Sequence, residues 1–194
     1  SGESLMTITP VKLDINYSYQ KVPTIKRFAS SSKRVRAILG PVGSGKSSGC
    51  VWEIIRRSLA QKPSSDGIRR TRWAIIRNTM GQLRDTTMKT VTDWFPPGVF
   101  GQFRVADHEY IITGFDNCRI ELLFRALDRP DQVGNLLSLE LTGAWSNEFR
   151  EVPRSIFNVL DTRLDRYPSP RDGGASWTGI IMDSNPYDEE SEWY

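Results

Sequence analysis

The sequence predicts an α/β domain, a mostly parallel β-sheet sandwiched by helices with a small antiparallel β insertion. Three observations carry that expectation. Short apolar runs alternate with amphipathic stretches, a glycine-rich loop joins the first such run to the first long helix, and residues 99–124 switch to short alternating runs.

Residues 1–32, with Pro10, Pro23 and the aromatics Tyr17, Tyr19 and Phe28, lack sustained periodicity and read as an N-terminal arm ending in a short helix. Val35 to Leu39 is a short apolar run ending at glycine, as suits a strand buried in a parallel sheet. Lys46 to Gln61 places Val51, Ile54, Ile55 and Leu59 on one helical face, and Pro63 stops it. Trp73 to Ile76 is a second strand, and Gln82 to Phe95 a helix carrying Leu83, Met88, Val91 and Trp94. Glu109 to Thr113 and Arg119 to Phe124, split by the turn residues Gly114 to Asn117, predict a hairpin-like insertion. Leu136 to Trp145 is a further strand candidate, Arg154 to Arg166 a helix led by Pro153, and Thr178 to Met182 a last buried strand.

The chain of 194 residues suits a single domain, with 38% hydrophobic and 25% charged residues and no apolar run of membrane-spanning length. The opening residues lack the layout of a signal peptide, which predicts a cytosolic location. Cys50 and Cys118 are far apart and His108 is the single histidine, a pattern that supports neither a zinc site nor a disulfide framework; both cysteines read as buried thiols. The net charge of +3 does not by itself mark a nucleic-acid binder. Basic clusters at Lys33 to Arg36, Arg56-Arg57 and Arg69 to Arg72 read as solvated loop charge, with contact to DNA phosphates as the minority reading. The tryptophans are spaced as packing residues rather than as a base-stacking platform.

Gly40-Pro41-Val42-Gly43-Ser44-Gly45-Lys46-Ser47 is a complete G-x-x-x-x-G-K-[ST] loop between a strand and a helix. Glycines let successive N–H groups converge on phosphate oxygens, and the helix that follows points its positive end at the same place. Lys46 supplies a point charge for the β- and γ-phosphates, Ser47 offers a hydroxyl to a bridging Mg²⁺, and Ser48 completes the nucleotide-binding set. ATP and Mg²⁺ are the expected ligands. GTP is disfavoured because no [NT]-K-x-D element follows the loop.

The run Leu139 to Glu148 resembles an acidic-ended Walker B strand of an ATPase, in which the final glutamate polarises water; Glu148 takes that catalytic role here. Asn147 stands where the pattern has a metal-holding aspartate; its amide oxygen can accept from a metal-bound water but brings no negative charge. Ser184-Asn185-Pro186 follows the last strand, at the sheet edge where such residues can sense a γ-phosphate; without context Asn-Pro reads first as a turn.

Gly40 to Ser47, Trp73 to Thr79 running on to Leu83 to Thr87, Gly143 to Glu148, and Asp183 to Pro186 together resemble, in this order, the large terminase subunit of tailed bacteriophages. The resemblance implies a P-loop ATPase of the ASCE type, the motor that pumps double-stranded DNA into a procapsid, here without the C-terminal nuclease domain. It makes Lys46 and Ser47 the phosphate and metal contacts, Asn147 the metal-side position, Glu148 the catalytic carboxylate, and Ser184, Asn185 and Pro186 a coupling motif. It also implicates the region of Tyr19, Gln20, Pro23 and Phe28 in holding adenine. Arg125 and Arg129 are candidates for an arginine acting in a neighbouring subunit's site. The implied partners are DNA, the portal and procapsid, a small terminase subunit and further copies in a ring, in the cytoplasm of an infected bacterium. Another P-loop translocase or helicase, and a nucleotide-gated assembly module with little hydrolysis, are the alternatives.

Overall fold

The computed structural model describes residues 17–186. Seven strands form one sheet: β1 (Val35–Leu39), β2 (Arg69–Arg77), β3 (Gly101–Arg104), β4 (Glu109–Ile112), β5 (Cys118–Ala126), β6 (Gly143–Asn147) and β7 (Gly179–Ser184). Their order is β1-β7-β6-β2-β5-β4-β3. The five strands from β1 to β5 in that order are parallel, and β4 and β3 extend the sheet antiparallel beyond β5.

Side-chain alternation along the central strands builds two apolar layers. Trp73 and Ile75 of β2 face one side with Trp145 and Ile181, and pack with Cys50, Val51, Ile54 and Ile55 of α2 (Lys46–Leu59). Ala74 and Ile76 face the other side with Ala144 and Ile180, against Leu136 of α5 (Pro130–Leu136) and Ile156 and Leu160 of α6 (Arg154–Asp161). Helices therefore cover both faces, as a buried parallel sheet requires. On the first side α1 (Pro23–Ser30), begun by a proline at its first turn, sets Phe28 into the core. Ile25 of the same helix lies close enough to Gly45 and Gly49 to brace the glycine-rich loop.

Three elements differ from the expected ones. The helix predicted over Gln82 to Phe95 begins earlier and is composite: α3 (Met80–Gln82) is started by a capping box of Thr79 and Gln82, a π-helical stretch Leu83–Met88 follows, and α4 (Lys89–Trp94) completes it. The strand candidate Leu136 to Trp145 is a strand only from Gly143; Leu136 ends α5, which Pro130 starts at a position where its missing N–H costs nothing. The helix predicted to reach Arg166 stops at Asp161. Within the insertion, β3 and β4 form the hairpin, whereas β5 pairs with β2 as well as with β4.

The basic clusters are not simply solvated loop charge. Arg36 is buried, with its guanidinium 2.6 Å from Glu53 and over the rings of Phe28 and Trp177. Arg56 and Arg57 each lie 2.9 Å from the same carboxylate. Arg72 pairs with Glu121 at 2.5 Å and stacks on Tyr167, and Arg70 pairs with Asp66 at 2.6 Å. Cys50 and Cys118 are buried free thiols, and burial pushes both above the ordinary thiol range. The first sixteen residues of the expected arm, and the acidic stretch from Asp188 with Trp193, lie outside the described residues.

Candidate nucleotide site

Gly40 to Ser47 leaves the carboxyl end of β1 and runs into α2. Gly43 and Gly45 hold φ of 76° and 81°, left-handed values that a Cβ resists, so the loop needs glycine at both positions. The loop is tied at its start by Gly40 N–H donating to Ser184 O at 3.2 Å, and internally by Ser44 N–H donating to Pro41 O. Among the described residues the buried Ser44 hydroxyl oxygen has no hydrogen-bond partner, a polar atom left over for a ligand.

Lys46 is 7% exposed. Its ammonium donates to Pro41 O at 2.9 Å and to Asn185 Oδ1 at 3.3 Å, which joins the loop to the segment after β7. The Ser47 hydroxyl donates to Asp183 Oδ2 at 3.0 Å. Asn147 and Asp183 are register partners across β6 and β7, and the Asn147 amide nitrogen lies 3.1 and 3.0 Å from the two carboxylate oxygens of Asp183 and 3.3 Å from Ser47 Oγ. The Asn147 amide oxygen accepts from Thr87 at 2.7 Å. Trp145 Nε1 donates to Asp183 Oδ1 at 2.7 Å. Burial raises the Asp183 carboxyl above the usual carboxylate range, opposed by the hydrogen bonds from Trp145, Asn147 and Ser47.

Glu148 follows β6 with φ 51° and ψ 55°, a left-handed backbone uncommon for a residue with a Cβ. Its Oε2 accepts from Ser184 Oγ at 3.3 Å. Strain of this kind collects where a side chain must be aimed. Arg150, two residues on, donates to Asn185 O at 3.5 Å and to Pro186 O.

The residues expected from the motifs thus meet at one edge of the sheet: loop 40–47, Asn147, Glu148, and Ser184 to Pro186. Ser48, on the first turn of α2, accepts from Trp94 Nε1 at 2.9 Å and faces α4. Tyr19 lines an apolar recess with Tyr17, Ile25, Gly49 and Trp52, and Gln20 is exposed beside it. Phe28, implicated in the same region, is instead a core residue under Arg36. Arg125 and Arg129 stand apart from the loop. Strand β5 is four positions from β1, or about 19 Å at 4.8 Å per strand. Arg125 is engaged with Glu109 at 3.7 Å and with Asp107 O, whereas Arg129 is exposed and pairs with Asp131 at 3.3 Å.

Sequence reasoning gave no role to Asp183 or Thr87. Asp183 was visible only as the residue before Ser184-Asn185-Pro186, and nothing in the linear sequence places it opposite Asn147. Thr87 reaches Asn147 from the π-helical stretch.

No protein-family model matches the sequence, and no curated protein matches it closely. Solved structures do. The large terminase of a thermophilic bacteriophage aligns over 87% of this chain and 36% of its own, with TM-score 0.63 and 14% identity. A structure of that protein in complex with ATP-gamma-S aligns over 87% of this chain and 35% of its own, with TM-score 0.55 and 14% identity. The large terminase ATPase domain of Thermus phage P74-26 aligns over 85% and 65%, with TM-score 0.54 and 18% identity. The chain spans about a third of the full-length terminases it matches. Through the sheet order, the strand-to-helix loop and these alignments, residues 17–186 show the fold of a bacteriophage large-terminase ATPase domain.

Proposed function

We propose that this chain is the ATP-hydrolysing motor domain of a phage terminase large subunit, powering movement of double-stranded DNA into a procapsid. The observation that carries the reading is the meeting of Lys46, Ser47, Glu148 and Asn185 at one edge of a sheet with the terminase fold. The low identity of the matches gives fold; the residues at the edge supply the chemistry.

In this reading Gly40 to Ser47 wraps the phosphates, with the N–H groups of the loop and the amino end of α2 facing them. Lys46 moves its ammonium from Asn185 to the γ-phosphate. Glu148 orients the attacking water and accepts its proton, held in place by its left-handed backbone and the Ser184 hydroxyl. The residues fit Mg²⁺, since the Ser47 hydroxyl and the Asp183 carboxylate put hard oxygen donors 3.0 Å apart beside the loop. Bound there with ATP, Mg²⁺ would neutralise charge building on the phosphate oxygens. Ser184, Asn185 and Pro186 then report nucleotide state, because Lys46 and Glu148 each bond to that segment.

Arg129, exposed just before α5, is the better placed of the two arginines to serve a neighbouring copy's site; Arg125 is engaged within its own domain. The assembly implied is a ring of copies at the portal of a procapsid, with the small terminase subunit and DNA, in the cytoplasm of an infected bacterium.

Steady-state ATP hydrolysis with Mg²⁺ across a range of protein concentrations tests the reading. Turnover rising more than linearly with concentration, and lost in both Lys46→Ala and Glu148→Gln while Glu148→Gln still binds ATP, is the expected result. Near-normal hydrolysis by either variant would overturn the site.

A further inference from the structure

Asp183 lies on β7, fully buried, with no basic residue paired to it among the described residues. Buried carboxylates are rare without a cation, because desolvating the charge costs several kcal/mol, on the order that a paired charge or a metal must offset. Its neighbours here are neutral donors: Trp145 Nε1, the Asn147 amide and the Ser47 hydroxyl. A neutral asparagine could satisfy such donors in part without burying a charge.

The orientation of Asn147 sharpens the point. Its nitrogen faces both oxygens of Asp183 while its oxygen takes the Thr87 hydroxyl. Turning the amide over would set an oxygen against a carboxylate, so the hydrogen-bond network fixes it as drawn. Asn147 therefore points its N–H groups, not its oxygen, at the Ser47 hydroxyl. The position at the end of β6 brings neither a negative charge nor an acceptor toward the loop. The charge sits one strand over, at the position directly opposite in the parallel register.

We propose that Asp183 is the carboxylate that, together with Ser47, holds the Mg²⁺ arriving with ATP, and that Asn147 is a positioning residue that holds Asp183 toward the loop. This rests on the ATPase reading above. The carboxylate stands on β7 rather than at the end of β6, and a negative charge is kept beside the loop. Ser47 meets a carboxylate only on β7, at Asp183 Oδ2, while β6 offers it the Asn147 N–H.

The test is equilibrium binding of ATPγS by calorimetry, once with Mg²⁺ and once with EDTA, on the wild-type chain, on Asp183→Asn, and on the exchanged double variant Asn147→Asp with Asp183→Asn. The wild type should bind at least tenfold tighter with Mg²⁺. Asp183→Asn should lose that difference, and the exchanged variant should regain it. Full retention of the Mg²⁺ effect in Asp183→Asn would overturn the proposal. Should Asp183→Asn fail to fold, Asp183→Ser decides by the same comparison: loss of the Mg²⁺ effect with ATPγS still bound supports the proposal, and its full retention overturns it. A wild type that binds no ATPγS under either condition would instead overturn the ATPase reading on which the proposal stands.

Discussion

The Lys46 ammonium lies 3.3 Å from Asn185 Oδ1, a hydrogen bond that spans 139 residues of chain and ties the loop after β1 to the segment after β7. A γ-phosphate would have to take Lys46 from this acceptor. In the proposed motor, nucleotide arrival and release of the β7 segment would be one exchange of partners.

Asn185→Ala removes the competing acceptor and leaves Lys46, among the described residues, with Pro41 O. ATPγS should bind about three- to tenfold tighter, a fraction of what a charge-assisted hydrogen bond contributes. Calorimetric titration measures it. Weaker binding would instead place Asn185 among the groups that hold the nucleotide.

Glu53 gathers three guanidinium groups while its own side chain is 1% exposed, and Arg36 beside it is 4% exposed. Glu53→Gln leaves Arg36 buried without its counter-charge and should destabilise the domain by about 3–5 kcal/mol. Urea unfolding reads the loss. The double variant Arg36→Met with Glu53→Met should be less destabilised than Glu53→Gln alone.

Gly143 opens β6 against the Trp73 ring, and a Cβ there would run into Trp73 Cζ3. Gly143→Ala must push the strand or the indole, at a cost of about 1–3 kcal/mol. Since β6 carries Asn147 and leads to Glu148, ATP turnover should fall together with the urea midpoint. An unchanged midpoint would show that Trp73 gives way freely.

Tyr110 donates its hydroxyl to Phe95 O at 2.7 Å, and burial pushes its phenol up to about 12 from an ordinary 10.0. The folded state thus keeps its proton longer than the unfolded chain. The resulting stability is fully present below pH 10 and is lost as pH rises toward 12. Tyr110→Phe should flatten that alkaline decline in thermal melts, and should cost about 1 kcal/mol at neutral pH through the lost hydrogen bond.

Much of the site could be read from the linear order because its parts are local. Strand β1, the loop with its two left-handed glycines, and the start of α2 lie in one unbroken stretch, and each residue's role follows from its immediate neighbours. The end of β6 was equally visible, as an apolar run closing on Glu148. The beginning of β6 was not, since the apolar residues before Gly143 belong to α5 and a turn whose hydrogen bonds run to Arg163 and Arg72. Asp183 was out of reach for another reason. Its partner Asn147 is set by strand register, which pairs residues 36 apart and leaves no mark in the local pattern. The arginine clusters misled in a similar way, because Glu53 lies 17 residues from Arg36 and Glu121 lies 49 residues from Arg72.

The placing of those arginines bears on how this domain would grip DNA. Charges that drive binding to a phosphate backbone do so by expelling condensed counterions, and the steepness of the salt dependence counts them. Arg36, Arg57 and Arg72 already spend their charge on carboxylates of their own chain. They have little to contribute to that slope, so the grip on a duplex would fall to other cations, and its sensitivity to salt would be shallower than the count of basic residues suggests.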